Sequence, residues 1–125
     1  MKNLKNLEMP NIYNSTVGII GLGYVGLPLA VEIALNKKCK FTGLNIKRKV
    51  IGYDINKSRI LELQENFDIT NEVSNVRLQK AKNILFTSEL DDLYDSDYFI
   101  VTVPTPIDLN NKPDLTLIKK ASMDL

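Results

Sequence analysis

Four short apolar runs recur along the chain, and segments with helical spacing separate them. The runs are apolar at consecutive positions, which is typical of strands buried on both faces of a parallel sheet. The strand candidates are residues 16–20, 50–55, 84–86 and 98–103. The helix candidates are residues 28–35, 59–64, 73–82 and 115–123, with a short helical turn at 90–93. This alternation predicts an α/β fold with a doubly wound parallel sheet of about four strands, in the order 3-2-1-4.

The amino-acid composition excludes several kinds of catalytic and metal site. The chain has 125 residues, with 44% hydrophobic and 25% charged residues, which is ordinary for one globular domain. It has no histidine, which excludes His-dependent triads and the common zinc sites. The single cysteine, Cys39, excludes an internal disulfide and a CxxC site, so we expect no metal. We expect residues 1–15 to form a loose N-terminal arm rather than a signal peptide, no membrane span, and a cytoplasmic location.

Charge is unevenly distributed. Residues 37–49 hold six basic and no acidic residues, whereas the rest of the chain holds 10 basic and 15 acidic residues. Such a cluster indicates either phosphate or nucleic-acid binding or a solvated surface segment. Only Phe41 interleaves the cluster, and stacking on bases needs more aromatic residues. We therefore interpret it as a solvated segment and expect neither a nucleic-acid nor a membrane partner.

The most specific motif is GLGYVG at residues 21–26, a GxGxxG that follows a strand candidate and opens a helix. In a dinucleotide-binding turn, Gly21 allows the tight turn and Gly23 lets a pyrophosphate approach the backbone. Gly26 lets the helix pack closely on the strand. The amides of Tyr24 and Val25 are the natural donors to the pyrophosphate at the helix N-terminus.

An acidic residue is expected about 20 residues after the glycines, at the end of the second strand, to bind the adenosine ribose. Asp54 has the right chemistry but lies 28 residues after Gly26, whereas Asn45 lies 19 residues after it. Each is the penultimate residue of a similar segment, FTGLNI or VIGYDI, so two near-copies compete for one place in the sheet. We favour Asp54, with residues 39–49 as a surface insertion, because a carboxylate binds ribose hydroxyls more strongly. Asn45 stays the alternative. An aspartate here repels the 2′-phosphate of NADP and therefore favours NAD.

Four longer segments are more specific than the glycine motif: IIGLGYVGLPLA, VIGYDINKSRI, FTSELDDL and VTVPTPIDLNNKPDLTLIKKAS. In this order they resemble the N-terminal part of the nucleotide-sugar 6-dehydrogenases, and among these the enzymes acting on UDP-N-acetylglucosamine or UDP-N-acetylgalactosamine. The resemblance implies that residues 16–125 form an incomplete Rossmann-type NAD-binding domain. It also implies an oxidoreductase of polysaccharide precursor synthesis, which oxidises the C6 alcohol of a UDP-sugar to a carboxylate with NAD. Such full-length enzymes are expected to be homo-oligomers.

The resemblance also implies roles for individual residues. Gly21, Gly23, Tyr24, Val25 and Gly26 would hold the pyrophosphate, and Asp54 would bind the adenosine ribose. Arg59 would lie near the adenosine end. Thr102, Pro104 and Thr105 would line the cofactor, with Thr105 the best candidate for a direct contact.

The family's catalytic cysteine and lysine and its sugar-binding domain follow the matched part. Cys39 matches no catalytic motif, and Lys119 and Lys120 read as solvated helix residues. We therefore expect no catalytic residue in this chain and no activity from it alone. The alternative is a non-catalytic or decayed nucleotide-binding module.

Overall fold

The computed structural model describes residues 8–125 and contains four parallel strands and four α-helices. In chain order the elements are β1 (Thr16–Ile20), α1 (Gly26–Leu35), β2 (Lys49–Tyr53), α2 (Lys57–Gln64), α3 (Asn75–Lys80), β3 (Ile84–Thr87), a 3-10 helix (Leu90–Leu93), β4 (Tyr98–Val101) and α4 (Thr116–Met123). The prediction of alternating strands and helices is confirmed.

The sheet has the order β3-β2-β1-β4, as predicted. Thr16 pairs with Lys49 and Val17 with Tyr98, while Val50 pairs with Ile84. The second of the two similar segments therefore lies beside β1, and the alternative that gave this place to the first is wrong. Val50 and Ile51 are β-branched and buried, which suits an inner strand.

Most elements differ from prediction by one or two residues at a boundary, and two of the differences lie at the glycine motif and the end of β4. Helix α1 begins at Gly26, two residues before the predicted start at Pro28. Pro28 is tolerated there because the first amides of a helix have no partner within the helix. Strand β4 ends at Val101 instead of Val103, because its partner β1 ends at Ile20 and the last pair of the two strands is Ile20 with Val101.

The core has two layers, one on each face of the sheet. Buried residues of the larger layer come from β1, β2 and helices α1 to α3, and include Ile19, Leu27, Val31 and Leu63. The smaller layer contains Ile20, Ile51, Tyr53 and Leu93, with Ala121 of α4 packed against it. Together they fix the carboxyl ends of β1 and β2, where the candidate site lies.

The segment between α1 and β2, residues 36–48, lies outside the sheet. It is largely exposed, but Ile46 is only 3% exposed, so the segment is anchored at its end. Asn45 forms an isolated bridge with Lys38 rather than lying at the glycine turn.

Residues 8–15 are the described part of the predicted arm; residues 1–7 lie outside the described residues. This part is held by four hydrogen bonds. The Lys47 amide donates to Tyr13 O at 2.7 Å, Arg48 Nε to Ile12 O at 2.7 Å, the Tyr98 hydroxyl to Pro10 O at 3.1 Å, and the Tyr13 hydroxyl to Thr42 Oγ1 at 3.3 Å. Within residues 8–125, no helix combines the length and apolar character needed to cross a bilayer.

Candidate functional site

The glycine motif forms the turn between β1 and α1. Gly21 has φ +96°, a left-handed conformation that favours glycine, and its amide donates to Tyr53 O at 2.8 Å. A Cβ on Gly21 would lie 2.8 Å from Thr102 O. Gly21 is therefore required by both its conformation and its surroundings.

Gly26 is tightly packed, whereas Gly23 is open. A Cβ on Gly26 would lie 1.8 Å from Gly21 O and 2.4 Å from Thr102 Oγ1, so only glycine fits between α1 and the turn. A Cβ on Gly23 would meet no atom of the described residues within 4 Å, apart from its own chain neighbours. The backbone at Gly23 therefore lies open to any ligand that approaches the helix N-terminus.

The start of α1 offers unpaired donors. Tyr24 and Val25 have side chains 70% and 67% exposed, and Val25 caps the helix without a side-chain hydrogen bond. Within residues 8–125, the amides of Tyr24 and Val25 donate to no acceptor. Free amides at the positive end of a helix dipole form an anion-binding environment.

Asp54 follows β2 and lies against the glycine turn. Its Oδ2 accepts from the Leu22 amide at 2.9 Å, and its Oδ1 accepts from the Asn56 amide at 2.9 Å. The carboxylate is half-buried, and each oxygen retains a further lone pair. Asp54 therefore both orients the turn and presents acceptor capacity beside it.

Arg59 lies beneath the turn and is buried. Its Nε donates to Leu22 O at 2.9 Å, so Leu22 is held through its carbonyl by Arg59 and through its amide by Asp54. Its Nη1 donates to Glu62 at 2.6 Å and to Asp68 at 2.8 Å. Burial lowers the pKa of Arg59, but the hydrogen bonds and charges of Glu62 and Asp68 outweigh this and raise it.

Asp68 is the fixed acceptor behind Arg59. Its side chain is fully buried and also accepts from the hydroxyl of Thr70 at 2.7 Å and from the amides of Thr70, Glu72 and Val73. Burial alone would raise the pKa of Asp68. The hydrogen bonds from Thr70, Arg59 and the Val73 amide instead lower this pKa to about 2. Asp68 is therefore a charged residue in the interior that holds Arg59 against the glycine turn.

The residues after β4 differ in their contacts. The Thr102 hydroxyl is hydrogen-bonded to the glycine turn, where it donates to Gly21 O and to Ile20 O at 3.1 Å. Pro104 lines a cavity beside the turn, whereas Thr105 is exposed and does not line it.

That cavity lies between the carboxyl ends of β1 and β2 and helix α4. It has a volume of about 190 Å³ and a largely apolar wall. Its lining residues beyond the strand ends are Ile55, Leu90, Val103, Pro104, Leu117, Lys120, Ala121, Asp124 and Leu125. Asp54 also lines the cavity, and its Oδ2 accepts from the Leu22 amide of the glycine turn. Lys120, expected on a solvated face, is exposed but borders this cavity.

Tyr53 forms part of the same wall. Burial raises the pKa of Tyr53, and the carboxylates of Asp124, Asp54 and Glu89 raise it further. The phenol therefore stays neutral across the physiological range.

Sequence reasoning brought together the glycine turn and Asp54, which the structure places in contact. It missed the support of the turn by Arg59 and Asp68, and the contribution of α4 to the cavity. The Asp68-Ile69-Thr70 pattern is a local signal for a hydrogen-bonded turn, but no spacing rule connects it to Leu22.

Cys39 lies in the segment after α1, at the edge of the sheet where the strands begin. Side-chain and backbone hydrogen bonds from Thr42 lower the pKa of Cys39. Within residues 8–125, no three His, Cys, Asp or Glu residues are arranged to hold a metal ion.

Known proteins that resemble this chain were found by sequence and by structure. Residues 15–125 match the family model described as "UDP-glucose/GDP-mannose dehydrogenase family, NAD binding domain". The chain is 50% identical to Protein CapL of Staphylococcus aureus over 109 residues, covering 87% of this chain and 23% of the relative. It is 49% identical to the UDP-N-acetyl-D-glucosamine 6-dehydrogenase of Pseudomonas aeruginosa over 106 residues, covering 85% of this chain and 22% of the relative. The chain thus spans about a quarter of the length of these relatives.

A solved structure of a UDP-D-ManNAc dehydrogenase from Pyrococcus horikoshii superposes with a TM-score of 0.71 at 28% identity. The match covers 87% of this chain and 24% of that one. The fold observed here is therefore shared with part of a larger dehydrogenase.

Proposed function

The chain belongs to the UDP-glucose/GDP-mannose dehydrogenase family, whose NAD-binding domain it matches, and on that premise we propose how it serves the enzyme. It supplies the adenosine diphosphate half of the NAD site in a protein that oxidises the C6 alcohol of a UDP-sugar to a carboxylate. The substrate class we propose is a UDP-N-acetylhexosamine, in line with the Pseudomonas aeruginosa relative.

The residues present fit this half of the cofactor. The free amides of Tyr24 and Val25 would hold the pyrophosphate, and the open backbone at Gly23 leaves room for it. The remaining lone pairs of Asp54 would accept the adenosine ribose hydroxyls. The cavity between Ile55 and Pro104 would take the adenine, because its wall is apolar.

NAD supplies the hydride acceptor of the reaction when it is bound. The chain's own residues bind and orient it. Arg59 holds Leu22 so that the turn keeps its shape, and Thr102 fixes Gly21 from the other side. In our proposal Arg59 acts through the turn, whereas its predicted place near the adenosine end and a direct contact of Thr105 stay predictions.

The catalytic groups of the enzyme lie outside this chain in our proposal. Its only cysteine, Cys39, lies at the far edge of the sheet from the glycine turn, on the segment after α1. The chain alone would then bind the cofactor without oxidising a sugar.

One observation carries the proposal: Gly23 is the glycine of the motif at which a Cβ meets empty space, beside unpaired amides and a carboxylate. The surrounding structure leaves room for a larger residue at this position. A pyrophosphate that approaches the backbone, in contrast, requires a residue without a side chain.

Gly23→Ala is therefore the matched test. The variant should keep the wild-type unfolding temperature and lose at least about 10-fold in ADP-ribose affinity by titration calorimetry, because the methyl group occupies the approach to the amides. Val76→Ala, at an exposed position on α3, is the control and should leave both values unchanged. Unchanged affinity in Gly23→Ala would refute this placement of the pyrophosphate.

A further inference from the structure

The basic loop, residues 36–48 together with Lys49, holds a dense run of positive charge. It carries Lys37, Lys38, Lys40, Lys47, Arg48 and Lys49 and no acid. All five lysines are exposed, and among residues 8–125 none of them forms an ion pair. The rest of the chain has a net charge of −5. The basic loop is therefore positively charged, whereas the rest of the chain is net negative.

An apolar side chain lies at the tip of the basic loop. Phe41 is 99% exposed and the neighbouring Leu44 is 53% exposed. The tip is a defined turn, since the Gly43 amide donates to Cys39 O at 2.9 Å and the Cys39 amide donates to Leu44 O at 2.9 Å. The backbone thus holds Phe41 outward among lysines.

The base of the loop is fixed to the domain. Ile46 is buried, and its amide donates to Lys37 O at 2.8 Å. Asn83 Nδ2, before β3, donates to Arg48 O at 2.7 Å. The basic loop therefore has a fixed position on the domain.

We propose that the basic loop docks the protein on an anionic lipid bilayer, with Phe41 entering the headgroup region and the lysines lying over acidic lipids. Charge complementarity and an apolar tip are the two signals that together give stable attachment, whereas either alone is marginal. The negative remainder of the chain is repelled by the same surface, so the attachment is oriented.

The orientation leaves the candidate site open. Helix α1 runs from the glycine turn to the basic loop over 10 residues, about 15 Å at the usual rise per residue. The loop and the glycine turn thus lie at opposite edges of the sheet. Docking by one leaves the other facing the aqueous phase.

A nucleic acid fits this surface less well. Single-stranded binding sites combine basic grooves with several aromatic stacking platforms, and the basic loop has only one aromatic residue. The sequence predicts a solvated segment here, and the structure adds a fully exposed Phe41 among its lysines.

The test is sedimentation with vesicles of phosphatidylcholine, with and without phosphatidylserine, at low and physiological salt. The chain should bind the phosphatidylserine vesicles and not the neutral ones, and raised salt should weaken binding. Phe41→Ser should reduce the partition coefficient about 10-fold, which corresponds to the low end of the free energy gained by burying a phenylalanine side chain. The pair Lys38→Ser and Lys40→Ser should reduce it about 30-fold, at the usual contribution of each basic residue near an anionic surface.

Two control variants match these changes away from the loop. Leu109→Ser removes another fully exposed apolar side chain, and Lys112→Ser with Lys119→Ser removes two exposed lysines. Both should bind as wild type does. Equal binding to both vesicle types, or binding that Phe41→Ser leaves unchanged, would overturn the proposal. Binding to a single-stranded oligonucleotide without vesicle binding would overturn it as well and would assign the loop to nucleic acid.

Discussion

Asp68→Asn perturbs the interior support of the glycine turn while nearly preserving side-chain volume. Asp68 accepts hydrogen bonds on both oxygens, from Arg59 and Thr70 on Oδ1 and from the amides of Glu72 and Val73 on Oδ2. An asparagine has one acceptor oxygen, so its NH₂ group must face donors on one side. Arg59 also loses its fully buried counter-charge and keeps only Glu62.

The magnitude follows from the pKa of Asp68. Lowering this pKa from 3.8 to about 2 corresponds to about 2 kcal/mol of folding free energy at neutral pH. The unpaired donors of the asparagine add about 1–3 kcal/mol. We therefore expect Asp68→Asn to lower the free energy of unfolding by about 3–5 kcal/mol, the range for breaking a buried ion pair.

The effect has a defined pH dependence. The folded pKa of Asp68 is depressed, so its charge stabilises the fold fully above pH 3.8, and this contribution is lost as the pH falls towards 2. The difference between wild type and Asp68→Asn should therefore shrink across that window.

Urea unfolding followed by circular dichroism at a series of pH values measures this difference. Asp95→Asn makes the same chemical change at an exposed position and should be nearly silent. A loss below about 1 kcal/mol at neutral pH, or a loss that does not diminish in acid, would refute the assignment of Asp68 as the charged support of Arg59.

Three further outcomes follow from the site. Gly26→Ala should destabilise the fold by several kcal/mol in thermal unfolding, since its Cβ would lie 1.8 Å from Gly21 O; wild-type stability would contradict the packing of α1 on the turn. ADP-ribose should bind at least about 10-fold more tightly than its 2′-phosphorylated form in calorimetry because Asp54 repels the phosphate, and equal affinities would count against Asp54 as the ribose ligand. The purified chain with NAD and a UDP-N-acetylhexosamine should produce no NADH by absorbance, whereas turnover abolished by Cys39→Ser would place the nucleophile in this chain.

The parts of the fold that depend on local pattern were predictable. The apolar runs at consecutive positions identified the strands, and the glycine motif between the first strand and helix located the turn. The choice between the two similar segments followed from residue type, because Val50 and Ile51 suit a buried strand and the lysines around residues 41–46 do not.

Features that depend on distant contacts were not predictable. Arg59 reaches Leu22 across 37 positions, and this contact exists only because α2 packs beneath the turn. The cavity needs α4, which is separated from β4 by a long loop, and no pattern in α4 indicates that Lys120 borders it. The exposure of Phe41 likewise follows from the turn at residues 39–44 and not from its hydrophobicity.

The most direct measurement of the central claim is a titration of the isotopically labelled chain with ADP-ribose, followed by the amide resonances in nuclear magnetic resonance spectra. We predict that the amides of Leu22, Gly23, Tyr24 and Val25 show the largest saturable shifts, since they surround the open backbone at the start of α1. Saturable shifts elsewhere in the sheet with these four amides unchanged, or no shifts at millimolar ligand, would contradict this prediction.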